Sequence, residues 1–246
     1  MDKIKLLIEK SNELFNENKA IVHLVDDEEQ NTFLNDLENY PHAFVLACLM
    51  DRQINAERAW AIPYKIYEKL ETFDIDKLKE KGKEYYKELF NKNKFHRFNN
   101  DMAKIFYNGI CRIIDKYEGK ANKIWNDNPS SAAIVYRFLE FDGCGIKIAT
   151  MAANILAREF KIPMLDYYCI DISPDVHIRR VLYRLGFVEK EASPDMVIYK
   201  ARELNPEFPW LIDSVCWEIG RNYCRPKFKD CECKKCDMNE ACSKNE

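Results

Sequence analysis

Apolar residues recur at helical spacing along almost the whole chain, and this one pattern narrows the fold more than anything else in it. Ile4, Leu7, Ile8 and Leu14 mark a first helix, and Met102, Ile105, Phe106, Ile110, Ile113, Ile114 and Tyr117 mark a long central one. No segment sustains the two-residue alternation of a half-buried strand, so the sequence predicts an all-α protein. Three helix starts are expected at Ser173-Pro174, Ser193-Pro194 and Asn205-Pro206, each a capping side chain before a proline suited to the first turn.

At 246 residues the chain sits where one core stops growing and two lobes become the expectation. Quieter segments at Tyr40-Pro41 and from Lys161 to Pro174 are the candidate boundaries. They predict a helical-barrel domain over 41–163 and a second domain built from 1–40 plus 164–246. The longest apolar run, Ala43 to Met50, is too short to span a bilayer, and the start of the chain lacks the apolar stretch of a signal peptide. An intracellular protein without a membrane partner is expected. Ten cysteines in a reducing compartment then point to ligands or buried thiols before disulfides.

The net charge of −3 argues at first against a nucleic-acid partner, but the distribution reverses this. Residues 1–40 hold ten Asp/Glu against four Lys/Arg, whereas residues 77–123 hold thirteen Lys/Arg against six Asp/Glu. Such a stretch also describes an ordinary solvated helical face, so it permits DNA binding without establishing it.

Ser130 to Glu140 and Ile146 to Phe160 read as two helices joined by Phe141-Asp142-Gly143-Cys144-Gly145. Two glycines in so tight a connection let the backbone adopt unusual conformations and approach a partner closely. The freed N–H groups and the start of the next helix can then cradle a phosphate. The run Phe141 to Ala149 resembles the hairpin of the helix-hairpin-helix DNA glycosylase superfamily of endonuclease III and 8-oxoguanine glycosylase, apolar-x-Gly-x-Gly-x-Lys-x-Ala. Downstream, Asp175-Val176-His177-Ile178-Arg179-Arg180-Val181 is similar to the family's Asp-x-His-x-x-Arg-Val, and Gly220 to Cys224 looks like the start of its iron–sulfur loop.

The resemblance implies base excision from damaged double-stranded DNA by a monomer, with strand cleavage at the resulting abasic site. Lys147 becomes the nucleophile that forms a Schiff base at the sugar C1′; a helix N-terminus disfavours a cation there. Asp175 becomes the carboxylate that stabilises the cationic sugar and assists proton transfer, although a plain capping role fits the same position. Gly143, Cys144, Gly145 and Ile146 are expected to meet the DNA backbone, and His177 to contact DNA or, more in keeping with its place, to organise the helix start. Lys147 and Asp175 are 28 residues apart, longer than the family expectation, so an insertion falls in Lys161 to Pro174. Asp166 and Asp171 are therefore rival carboxylates. Chemistry on a base needs the nucleotide flipped out and the gap filled. Arg52 and Gln53 lie where such a wedge is expected, with a polar helix end as the plainer reading, and Tyr167 and Tyr168 either stack on the flipped base or pack in the core.

The family loop Cys-x6-Cys-x2-Cys-x5-Cys implies a [4Fe–4S] cluster, with zinc as the rival occupant. Cys224-x6-Cys231 matches the first gap, and Cys233-x2-Cys236-x5-Cys242 the last two. Both cannot hold, because the loop is two residues too long. Cys224, Cys236 and Cys242 are ligands under either alignment; Cys233 is preferred over Cys231 because a Cys-x2-Cys turn presents two sulfurs to one centre. Cys48, Cys111, Cys144, Cys169 and Cys216 read as core. The two lobes are expected to hold DNA across a cleft, with Lys147 and Asp175 facing it. A glycosylase that uses water, and a non-catalytic DNA-binding module, are the alternative functions. The excised base is not legible.

Overall fold

The computed structural model describes residues 2–17 and 21–245, and all regular structure among them is helical. The chain divides into a larger unit, Lys19–Pro129 with Ala133–Met164, and a smaller one, Met1–Asn18, Ser130–Ala132 and Leu165–Glu246. Among the described residues no helix is long and apolar enough to cross a membrane.

The larger unit is built around α3 (Pro41–Met50), all ten of whose residues are buried. A helix without a polar face is stable only when enclosed. Here the enclosing elements are α2 (Glu28–Asn35), α4 (Ala56–Trp60), α5 (Ile62–Leu70), α8 (Asn99–Tyr117) and α10 (Ile146–Arg158). The expected stripe on α8 does face inward, with Met102, Ile105, Phe106, Ile110 and Ile113 buried. Gly109 lets α8 lie tight on α3, since a Cβ there would come within 3.0 Å of Leu46 Cδ2 and Leu49 Cδ1. Helices α6 (Ile75–Glu80) and α7 (Gly82–Asn93) pack on the far part of α8. The sequence boundary at Pro41 grouped α2 with the other unit. Its Phe33 instead stacks on Tyr67 and meets Tyr40, Tyr64 and Phe73 edge-on or tilted, which ties α2 into the larger unit.

In the smaller unit, α1 (Lys3–Asn16), α11 (Val176–Arg184), α12 (Pro194–Leu204) and α13 (Leu211–Asn222) close over Leu7, Ile178, Val181, Leu182, Val197, Ile212, Val215 and Ile219. Leu7 anchors α1, while Ile4 stays exposed. Residues 161–175 form no helix. The part within the smaller unit is fixed by side chains of that unit: Ser131 Oγ binds Asp166 and accepts from Cys169 N, and Arg202 pairs with Asp171 through two 2.7 Å bonds.

Two of the three expected helix starts differ. Ser193 caps α12 as expected. On α11 the cap is Asp175, whose Oδ1 accepts from His177 N and Ile178 N, whereas Ser173 N donates to Asp213. A carboxylate is the stronger acceptor for the positive end of a helix, and it lies nearer the first turn. Asn205 closes α12 and donates to Phe208 O, and the next helix begins only at Leu211.

Candidate functional site

α9 (Ser131–Leu139), which lies in the larger unit from Ala133 onward, and α10 flank the glycine hairpin within a residue or two of expectation. The two glycines do different work. Gly143 adopts φ +76°, and a Cβ on it would lie 2.6 Å from Ile105 Cδ1, so both conformation and packing demand glycine. Gly145, the N-cap of α10, has φ −91° and open space where a Cβ would be. No side chain caps α10, and Gly145, Ile146 and Lys147 at its start are exposed. Ile146 is 60% exposed, an unusual place for a large apolar residue. Cys144 points inward, where burial pushes its thiol up to about 12; any contact it makes with a partner is through the backbone. Asn108 of α8 pins the hairpin by donating to Asp142 at 2.6 Å.

Arg52 and Gln53 follow α3 in an exposed turn, with Gln53 in the left-handed region at φ +55°. Together with Asp142 and Gly143 of the hairpin, and Phe98, Asp101, Met102, Lys104 and Ile105, they line a groove of about 500 Å³. The two wedge candidates and the hairpin thus border one surface.

Lys147, second residue of α10, is exposed. Its charge acts on a residue that sequence reasoning missed: Asp51, the C-cap of α3. Burial raises the Asp51 carboxyl above its usual range, opposed by a hydrogen bond from the Trp60 side chain and by the Lys147 ammonium. No spacing rule links residue 51 to residue 147; only the packing of α3 on α10 does.

In the smaller unit, Asp175 is exposed, with Oδ1 committed to the α11 cap. His177 is half-buried. Its Nδ1 lies 3.0 Å from Arg180 Nη2, and a Cβ on Gly220 would come within 2.7 Å of its Cβ. This geometry fits an organiser of the helix start. The rival carboxylates Asp166 and Asp171 are held by Ser131 and Arg202. Tyr167, partly buried, stacks on Phe208 at 4.6 Å with Phe15 edge-on; Tyr168 is 59% exposed.

Cys224, Cys231, Cys233, Cys236 and Cys242 line one cavity with Val181, Leu185, Ile219, Phe228 and Met238. Arg184, only 6% exposed, reaches into it: Nη1 is 3.1 Å from both Cys224 Sγ and Cys231 Sγ. Burial pushes the Cys236 thiol up to about 11 and raises that of Cys224, against the pull of Arg184. Among the described residues no three Cys, His, Asp or Glu converge as ligands of a single ion. Five thiols lining one cavity are the donor type that both zinc and an iron–sulfur cluster take. Arg221, Arg225, Lys227, Lys229, Lys234 and Lys235 around the cavity are exposed. Of the other cysteines, Cys48, Cys144 and Cys216 are buried as expected, but Cys111 and Cys169 are partly exposed.

No family model matches the sequence, and no curated protein matches it. The fold does have solved relatives. One is a trapped endonuclease III–DNA covalent intermediate, at TM-score 0.58 and 17% identity over 99% of this chain and 97% of that one. Another is a non-covalent endonuclease III–DNA complex, at TM-score 0.59 and 17% identity over 99% and 96%. The chain therefore has the all-helical fold of endonuclease III, the fold that the hairpin, the Asp-x-His-x-x-Arg-Val run and the cysteine loop imply.

Proposed function

We propose that this protein is a DNA-repair glycosylase that removes a damaged base and then cleaves the strand through a Lys147 Schiff base. The observation that carries the reading is the hairpin at the start of α10, where Gly145, Ile146 and Lys147 are exposed and no side chain caps the helix. Backbone donors and a helix dipole of this kind hold phosphate. An amine one residue further along is placed to act on the sugar of a nucleotide held there. The endonuclease III–DNA complexes among the fold relatives, one of them covalently trapped, support DNA as the partner.

In this reading the Lys147 amine attacks C1′ and gives up a proton as the base departs with the bonding electron pair and takes up a proton; the C1′–O4′ bond then opens, O4′ taking up a proton, as the C=N bond forms. The resulting imine acidifies the neighbouring C2′–H, and loss of that proton expels the 3′ phosphate by β-elimination. The Asp175 carboxylate stabilises positive charge on the sugar as the base leaves. Arg52 and Gln53, beside the hairpin, fill the space vacated by the flipped nucleotide. Cys224, Cys236, Cys242 and one of Cys231 and Cys233 would hold a [4Fe–4S] cluster, which supplies structural cross-linking that orders the basic loop.

The test is a panel of duplexes carrying single uracil, oxidised pyrimidine, 8-oxoguanine or alkylated purine, with borohydride added during turnover. A covalent adduct is expected with wild type and with none of the Lys147→Gln protein, which should still bind DNA. Base release without any adduct would replace this reading with a water-using glycosylase. Binding with neither release nor adduct would leave a DNA-binding module.

A further inference from the structure

We propose that Cys231, and not Cys233, is the second cluster thiolate, that Arg184 is the positioning residue that selects it, and that Cys233 is a fifth, unligated thiol. The assignment rests on reading the loop as a cluster site. It starts from the fact that five sulfurs line a cavity whose occupant needs four.

The five are not equivalent. Arg184 is a buried cation, and a buried charge is stable only when paired and hydrogen-bonded. Its guanidinium is anchored by the carbonyl oxygens of Arg225, 2.6 Å away, and Pro226, at 3.1 Å, and lies over the Phe228 ring. Carbonyls supply no charge. The acceptors that complete its shell are Cys224 Sγ and Cys231 Sγ, each 3.1 Å from Nη1, so the guanidinium fixes the positions of these two sulfurs. Cys231 Sγ also accepts from Arg225 N at 3.2 Å. Two N–H donors, from Arg184 and Arg225, thus hold this one sulfur in place. Among the described residues no such donor reaches Cys233 Sγ; its part is to open a short 3-10 turn, with its carbonyl accepting from Cys236 N. The Cys-x2-Cys spacing that favoured Cys233 thus describes the turn, while the hydrogen bonds pick Cys231.

Protein with its metal content measured should be treated with iodoacetamide under native, anaerobic conditions and its cysteines mapped by mass spectrometry. Alkylation of Cys233 with protection of Cys224, Cys231, Cys236 and Cys242 is expected. Alkylation of Cys231 with Cys233 protected, or protection of both, would overturn the assignment. Cys233→Ala should keep the wild-type iron content and visible absorbance; loss of iron would equally overturn it. Arg184→Lys keeps the charge but not the two-sulfur fork, and should release iron to a chelator about tenfold faster with helical content unchanged. An unchanged release rate would remove Arg184 from the proposal. If the metal is zinc, the cluster reading fails, and the same alkylation map decides separately between Cys231 and Cys233.

Discussion

The two hairpin glycines separate folding from binding, because the structure gives them opposite surroundings. Gly143→Ala places an L-residue at φ +76°, which costs about 1–2 kcal/mol. It also sets a Cβ 2.6 Å from Ile105 Cδ1, the free end of a side chain, so repacking adds about 1 kcal/mol, the low end for overpacking. A loss of about 2–3 kcal/mol in urea unfolding is expected. Ile105→Val deletes the clashing atom at a cost of its own of about 0.5–1.5 kcal/mol. The double variant should therefore be more stable than the sum of the singles by about 1 kcal/mol. Gly145→Thr is the contrast. Its φ of −91° and ψ of 173° suit a β-branched residue, threonine caps about as well as glycine, and nothing in the fold meets the new Cβ. Stability should stay within about 0.5 kcal/mol while affinity for an abasic-site duplex falls about tenfold, or about 1.4 kcal/mol, because the side chain now stands between backbone and phosphate. Wild-type affinity in Gly145→Thr would refute the phosphate cradle, and wild-type stability in Gly143→Ala would refute the conformational argument.

Asp175→Asn preserves an N-cap acceptor, so its unfolding midpoint should match wild type, whereas Asp175→Ala should lose about 1 kcal/mol. Both should slow base release in single-turnover assays; an active Asp175→Asn would reduce the residue to a cap. Because burial raises the Asp51 carboxyl in the folded state, its favourable contribution is full below the ordinary carboxylate range and lost as pH rises through the raised value. Asp51→Asn, which can still accept from Trp60, should therefore equal or exceed wild-type stability at neutral pH, with the difference vanishing in acid. Urea unfolding across that range checks the sign, and a neutral-pH loss would show that the ionised carboxylate is needed.

Much of this was legible in the chain itself. Helical periodicity reports burial on one face of a local element, so the stripe on α8, the paired helices of the hairpin and the absence of strands among the described residues all followed from it. The motifs are equally local: Gly143 and Gly145 sit in one turn, and Asp175 and His177 at one helix start. Local signals went astray where two acceptors competed for one helix end, as Ser173 and Asp175 did, and where a proline followed a polar residue at a helix end, as at Asn205.

What the sequence could not contain was the environment made by residues far apart. Spacing alone could not tell Gly143, wedged against Ile105, from Gly145, which faces open space. It grouped α2 with the wrong unit because nothing in residues 28–35 announces that Phe33 enters an aromatic cluster from α5 and beyond. Asp51 acquires its raised carboxyl only when the end of α3 is buried, against the opposing pull of Trp60 and Lys147. Arg184 becomes a partner of Cys224 and Cys231 only when a loop some 40 residues later folds back over it. Periodicity and motif spacing are properties of one segment, read along the chain. Desolvation, close approach and charge pairing belong to the space between segments, and exist only once the tertiary structure has formed.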